Sequence, residues 1–128
     1  MDISLAKTTQ KLINEMTTYL DNLPEFKFLD YSQRNDQSLI HTYYSNATKA
    51  TVELGKLIIK AEYFISKMKI ASNNLNTNTK EMKNQKTEVQ VCINSVKELL
   101  TPLYTERERL TKIYYYYDKI YKTYVNPM

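Results

Sequence analysis

The chain has 128 residues, 15.2 kDa, with 42% hydrophobic and 25% charged residues and a formal net charge of +4. That length supports one domain at most, and the apolar content excludes wholesale disorder. With one Gly and three Pro, the turn chemistry of sheets and loop-rich folds is missing, which points to long helices with few connections.

The charge is unevenly placed. Residues 1–38 carry four Lys/Arg against six Asp/Glu, and residues 39–128 carry fourteen against eight, giving −2 and +6. With acids interleaved throughout, that excess is a weak field and not a nucleic-acid footprint. The lone Cys92 cannot form an internal disulfide and fits a reducing compartment. The opening MDISLAKTTQKLINEM lacks the basic-then-apolar order of a secretion signal, and no window approaches the length of an apolar span. The expectation is an intracellular protein, cytoplasmic or nuclear, neither secreted nor transmembrane.

Leu5, Thr9, Leu12, Met16, Tyr19 and Leu23 form a stripe at helical spacing. They predict a first helix over about 3–21, closed by Pro24. DNLPEFKFLDY, residues 21–31, reads as a connection with its own buried aromatics, and Ser32 or Asn35 is placed to cap the next helix. From Ile40, alternate steps of three and four residues visit 25 positions up to Tyr124, and 22 of them are apolar or Tyr. Chance at the overall composition would give about ten or eleven, so this heptad ridge is the strongest signal in the chain.

An unbroken helix from 40 to 124 would be about 127 Å long at the usual rise per residue. Two places argue against it. SNNLNTNT, residues 72–79, consists of weak helix formers apart from Leu75 and costs roughly 3 kcal/mol relative to strong ones. Thr101-Pro102 predicts a kink or a fresh start with Thr101 as cap. The expected fold is therefore all-α: a single helical domain, 1–128, built as an antiparallel coiled-coil hairpin with an additional N-terminal helix. Its second helix runs over about 34–71, the Asn-rich turn over 72–79, and the third helix over about 80–124 with a kink at Pro102. One long rod in an oligomeric coiled coil is the alternative, because the heptad phase survives the Asn-rich stretch.

Few residues point to chemistry. His41 has neither the partner that catalysis needs nor the co-ligands of a metal site. Cys92 sits on the ridge, where a thiol acts as a small hydrophobe. Lys56, Lys60, Lys67 and Lys69 alternate with Glu53 and Glu62, the pattern of a solvated helix face. Glu108 and Lys112 form a helix-supporting pair. Gly55, the only glycine, lies inside a helix, so a glycine-loop phosphate site is out of reach. The chain reads as no enzyme, with no cofactor, no metal and no small-molecule substrate. Asn78, Gln85 and Glu106 interrupt the ridge. Asn78 falls in the turn and Glu106 beside the kink, which leaves Gln85 to specify register or oligomer order.

The tail, KIYYYYDKIYKTYVNPM, raises a question of its own. Ile113, Tyr117, Ile120 and Tyr124 belong to the ridge, which puts Tyr114, Tyr115, Tyr116 and Tyr121 on the flanks or outer face. Tyrosine joins a large apolar body to a polar tip and is enriched at interfaces. Tyr114, Tyr115, Tyr116, Tyr121 and Tyr124 are thus the expected partner-binding residues, the alternative being that the rings form a broad internal core at the open end of the bundle.

Residues 19–40, YLDNLPEFKFLDYSQRNDQSLI, resemble the opening of the inhibitor-of-growth proteins through Tyr19, Leu20, Leu23, Pro24, Glu25 and Phe26. EVQVCINSVKELL, 88–100, is similar to that family's later coiled-coil helix. The spacing from Tyr-Leu to Leu-Pro is shorter than the family's, the Tyr-rich tail has no counterpart, and one Cys cannot build its histone-reading zinc finger. The resemblance implies a dimerising helical module in a histone-acetylation or deacetylation complex. LLTPLYTERERL and the Tyr run are similar to coiled-coil regions of vesicle-tethering subunits, and kinetochore subunits share this general look.

The function expected is a non-enzymatic scaffold or adaptor subunit binding other helical proteins or itself through its ridge and Tyr-rich end. Nucleic acid and membrane are not expected as partners, although a binder of nucleic acid or anionic membranes is the competing class. Binding to DNA or anionic liposomes that is measurable at low salt and falls steeply as salt rises would establish that class. An absence of binding at low salt would remove it.

Overall fold

The structure, a computed structural model, describes residues 3–75 and 78–125, with side chains from Leu5 onward. Its helices are α1 (Ile3–Asp21), α2 (Gln37–Asn73) and α3 (Lys80–Tyr124), with a short 3-10 turn at Gln33–Asn35. α2 and α3 pack against each other, so the fold is an all-α hairpin with an N-terminal helix, not a single rod.

The element ends follow from local chemistry. α2 begins three residues later than expected, because neither Ser32 nor Asn35 caps it. Ser32 sits in helical geometry before the 3-10 turn and makes no capping bond. Asp36 is extended, and its Oδ1 accepts the Leu39 N–H at 3.0 Å, satisfying one of the free donors of the first turn. α2 closes with the Asn74 N–H on the Ile70 carbonyl and the Leu75 N–H on that of Ser72, both at 3.1 Å. Thr79 then caps α3, its Oγ1 accepting the Met82 N–H at 3.1 Å. Asn76 and Thr77 of the expected turn lie outside the described residues. The heptad phase runs through this region without burial: Ala71, Asn78 and Met82, all ridge positions, are exposed.

α3 passes through Pro102 without ending. The proline lacks the N–H that would bond the Glu98 carbonyl, but both residues are exposed, and at an exposed position solvent can take the place of the lost donor.

The chain forms two compact units, and both long helices contribute to each. The first comprises Met1–Asn22 and Leu57–Leu103. Its core takes Leu12 and Met16 from α1, Ala61 and Phe64 from α2, and Val89, Cys92, Val96 and Leu103 from α3. Ile58, Ile65, Ile93 and Leu100 are buried as well, each four residues after a ridge position. That spacing broadens the narrow stripe of a two-helix seam into the wider face needed to receive a third helix. Lys60 Nζ ties α2 to Glu15 of α1 at 2.8 Å, and the Thr9 hydroxyl, buried in α1, donates to the Leu5 carbonyl at 2.8 Å.

The second unit comprises Leu23–Lys56 and Tyr104–Met128. It has no α1, and its core of Leu29, Ile40, Ala47, Tyr117 and Ile120 is completed by the connection between α1 and α2. The order is antiparallel, since Tyr44 early in α2 meets Asp118 late in α3.

Met16→Ala empties a site with no solvent exposure and is expected to cost about 2–5 kcal/mol in denaturant unfolding. Asp36→Ala is expected to cost about 1 kcal/mol through the lost cap. Equal, near-zero effects in both would contradict the assignment of core and cap.

Candidate functional site

Four consecutive tyrosines on a helix point in four directions, each about 100° from the next. In the second unit these directions meet different neighbours. Tyr117 faces inward and is the largest fully buried side chain. Its ring lies 5.8 Å from Tyr43 in a near-parallel stack and 6.0 Å from Phe26, and its hydroxyl donates to the Lys27 carbonyl. Tyr116 turns to the connection: its hydroxyl accepts the Leu29 N–H at 2.9 Å, and its ring meets Phe28 edge-on at 5.2 Å. Tyr114 turns to α2, 5.7 Å from Tyr44, and two turns later Tyr121 meets the same ring at 4.7 Å. Tyr115 points outward and is 63% exposed.

Three of the five expected partner-binding rings are therefore engaged within the chain, on the flanks of α3 and not on its outer face. Tyr114 and Tyr121 are half-buried against Tyr44 of α2, and Tyr116 against Phe28 and Leu29 of the connection, which covers a side of α3 that a bare hairpin would leave open. Tyr115 and Tyr124 remain exposed, and the Tyr124 carbonyl accepts from Gln37 Nε2 at 3.2 Å. The connection's own aromatics also depart from expectation. Phe26 and Leu29 turn inward, while Phe28 and Tyr31 are 83% and 79% exposed.

Polar anchors hold this arrangement. The Tyr44 hydroxyl donates to Asp118 Oδ1 at 2.6 Å, and Lys122 Nζ approaches Asp118 Oδ2 at 2.9 Å. The Tyr44 bond and the Lys122 ammonium hold the Asp118 carboxyl below its ordinary range, and the same carboxylate pushes the Tyr44 phenol up. Burial, aided by Tyr116 and Tyr43, raises the Tyr117 phenol to about 12.

Glu106, a ridge position, is buried, with its carboxylate held two-pronged by Arg109: Nε lies 2.9 Å from Oε2 and Nη2 lies 2.5 Å from Oε1. Arg109 Nη2 also donates to the Pro24 carbonyl at 2.7 Å. A polar residue that reads as a helix irregularity in the sequence is thus one half of a clamp on the connection. The Glu-x-x-Arg spacing was the available signal, but Pro24, 85 positions away, was not visible from it.

The other singled-out residues lie apart from this cluster or at its margin. Gln85 is half-buried near the start of α3 in the first unit, and Asn78 is exposed in the turn. Cys92 is core. His41 is exposed, its ring 6.0 Å from Tyr121. Lys56, Lys60, Lys67 and Lys69 are exposed, with Lys60 on Glu15 and Lys67 Nζ 5.4 Å from the centre of the Tyr63 ring. Among the described residues, no three His, Cys, Asp or Glu are grouped so as to hold a metal ion, and no helix is long and apolar enough to cross a membrane.

Two tests follow. Arg109→Ala leaves a buried carboxylate without its partner and is expected to destabilise by about 3 kcal/mol, whereas Glu106→Met with Arg109→Met should lose less. Equal losses would show that the pair does not act as a clamp. The tyrosines also set an alkaline limit. Phenols whose folded values lie above the ordinary 10.0 contribute stability that is complete below that pH and is lost as pH rises through about 12. Unfolding should therefore coincide with tyrosinate absorbance in that window. Tyrosines that ionise together near pH 10 without unfolding would contradict it.

Comparison with known proteins brings no relative: no family model, no curated protein and no solved structure matches this chain.

Proposed function

We propose that this chain is a non-enzymatic helical scaffold or adaptor subunit that works by docking to another helical protein or to a second copy of itself. The supporting observation is a second apolar stripe on α2. Ile59, Tyr63 and Ile70 are 67%, 63% and 62% exposed. They fall within about 40° of one another on the helix, on the side away from the buried Ile58, Ala61 and Ile65. Much of the heptad ridge is buried by the chain's own packing, which moves this reading from the ridge to the outer stripe. The outer stripe repeats the same four- and seven-residue spacing and stays mostly exposed, with the Lys67 ammonium 5.4 Å from the centre of the Tyr63 ring.

The driving force would be burial of that stripe, at roughly 25 cal/mol per Å². The exposed Tyr115 offers a further amphipathic contact. The lone thiol fits an intracellular setting for such a subunit. An inhibitor-of-growth, tethering or kinetochore complex is a narrower version of the same reading, carried only by the short resemblances above.

Affinity purification from the native source, comparing the natural chain with an Ile59→Ser/Ile70→Ser variant, tests the proposal. The variant should melt within a few degrees of the natural chain, because both side chains are exposed, and should lose the partner or the self-association seen by light scattering. A natural chain that stays monomeric and retains no protein, or a variant that retains the same partners, contradicts it.

A further inference from the structure

One cavity in the second unit is left unexplained by packing. It has a volume of about 530 Å³ and opens between the connection and α3. Phe26, Ile113, Tyr116 and Tyr117 make its apolar lining, and Phe28 stands at its edge, 83% exposed. The walls are pinned. Tyr117 is bonded to the Lys27 carbonyl, Tyr116 to the Leu29 N–H, and Arg109 to both Glu106 and the Pro24 carbonyl. A cavity held open this way avoids the ordering cost that weakens binding to a mobile surface.

Its rim carries charge. Lys27 and Lys112 line it beside Glu108, and Arg109 is matched by the Glu106 carboxylate. The balance is one surplus positive charge over an apolar floor. We infer that this cavity docks a polypeptide segment presenting one large apolar side chain next to one carboxylate. The ring or branched side chain would fill the floor, and the carboxylate would meet Lys27 and Lys112. This rests on the scaffold reading and adds the chemistry of a partner segment at a place distinct from the α2 stripe.

The chain contains no Trp, so an indole probe can be followed without interference from the protein's own indoles. Acetyl-Trp-Glu-amide and its neutral counterpart acetyl-Trp-Gln-amide are titrated, with indole emission and backbone amide shifts as readouts. The expected result is saturable, blue-shifted emission for the acidic peptide and shifts centred on Glu108, Lys112 and Ile113. The neutral peptide should bind about two- to fivefold more weakly, the range for a partly exposed ion pair. Lys27→Gln and Lys112→Gln, both at exposed positions, should each reduce that preference without altering the melting temperature. Equal affinity for the two peptides, shifts centred elsewhere, or no saturation at millimolar concentration overturns the site. A chain that fails to bind the peptide yet retains a partner through Ile59 and Ile70 sinks the cavity proposal alone. One that binds the peptide but retains no native protein supports the cavity and sinks the scaffold reading.

Discussion

Burial of the apolar ridge shared by α2 and α3 is the constraint from which the other features follow. A ridge repeating every seven residues cannot stay in water, and a chain that turns back on itself can cover it with its own second half. Leu54, Ala61 and Phe64 on α2, and Val96, Leu103 and Leu110 on α3, are buried for that reason. Near the turn the pattern persists, but Ala71 and Met82 are exposed, so periodicity alone did not compel burial.

Each unit solves its remaining packing problem differently. In the first, the ridge is broadened by Ile58, Ile65, Ile93 and Leu100, and α1 supplies Leu12 and Met16. In the second, the helices carry aromatic rings too large for a two-helix seam, and an irregular segment supplies the missing wall. That segment has few backbone partners of its own kind, so side chains from α3 provide them: Tyr116 to Leu29, Tyr117 to Lys27 and Arg109 to Pro24. Glu106 is tolerated in the ridge because Arg109 neutralises it and carries the link onward to Pro24. Two of the four consecutive tyrosines, Tyr116 and Tyr117, thus fasten a non-helical segment to a helix.

This changes where an interaction surface should be sought. Rings that satisfy backbone groups inside the fold cannot be spent on a partner without loosening the fold. Among the exposed apolar residues, the α2 stripe of Ile59, Tyr63 and Ile70, and Phe28 beside its cavity, satisfy no backbone group of the fold. Isolated exposed apolar residues are ordinary on any protein. Three on one narrow arc of one helix are less so, and this repetition underlies the functional proposal.

Much of the architecture was legible from the residues. The scarcity of Gly and Pro and the heptad count point to an all-α fold, and the Asn-rich stretch favours a hairpin over one long rod, because helix period and breaking strength are local properties read along a single strand of chain. The end of α1 and the start of α3 were legible for the same reason. Cap choice was less so: Ser32, Asn35 and Asp36 are all good caps, and only the 3-10 turn selects Asp36. Tyr114 and Tyr121 were settled by Tyr44 across the hairpin, whereas the fate of Tyr116, the Glu106–Arg109–Pro24 clamp and the cavity under Phe28 were decided by how the connection packs. Each of these last three depends on residues 22–36 lying against a helix some 85 positions later, and contact between an irregular segment and a distant helix face leaves no periodic trace in either sequence.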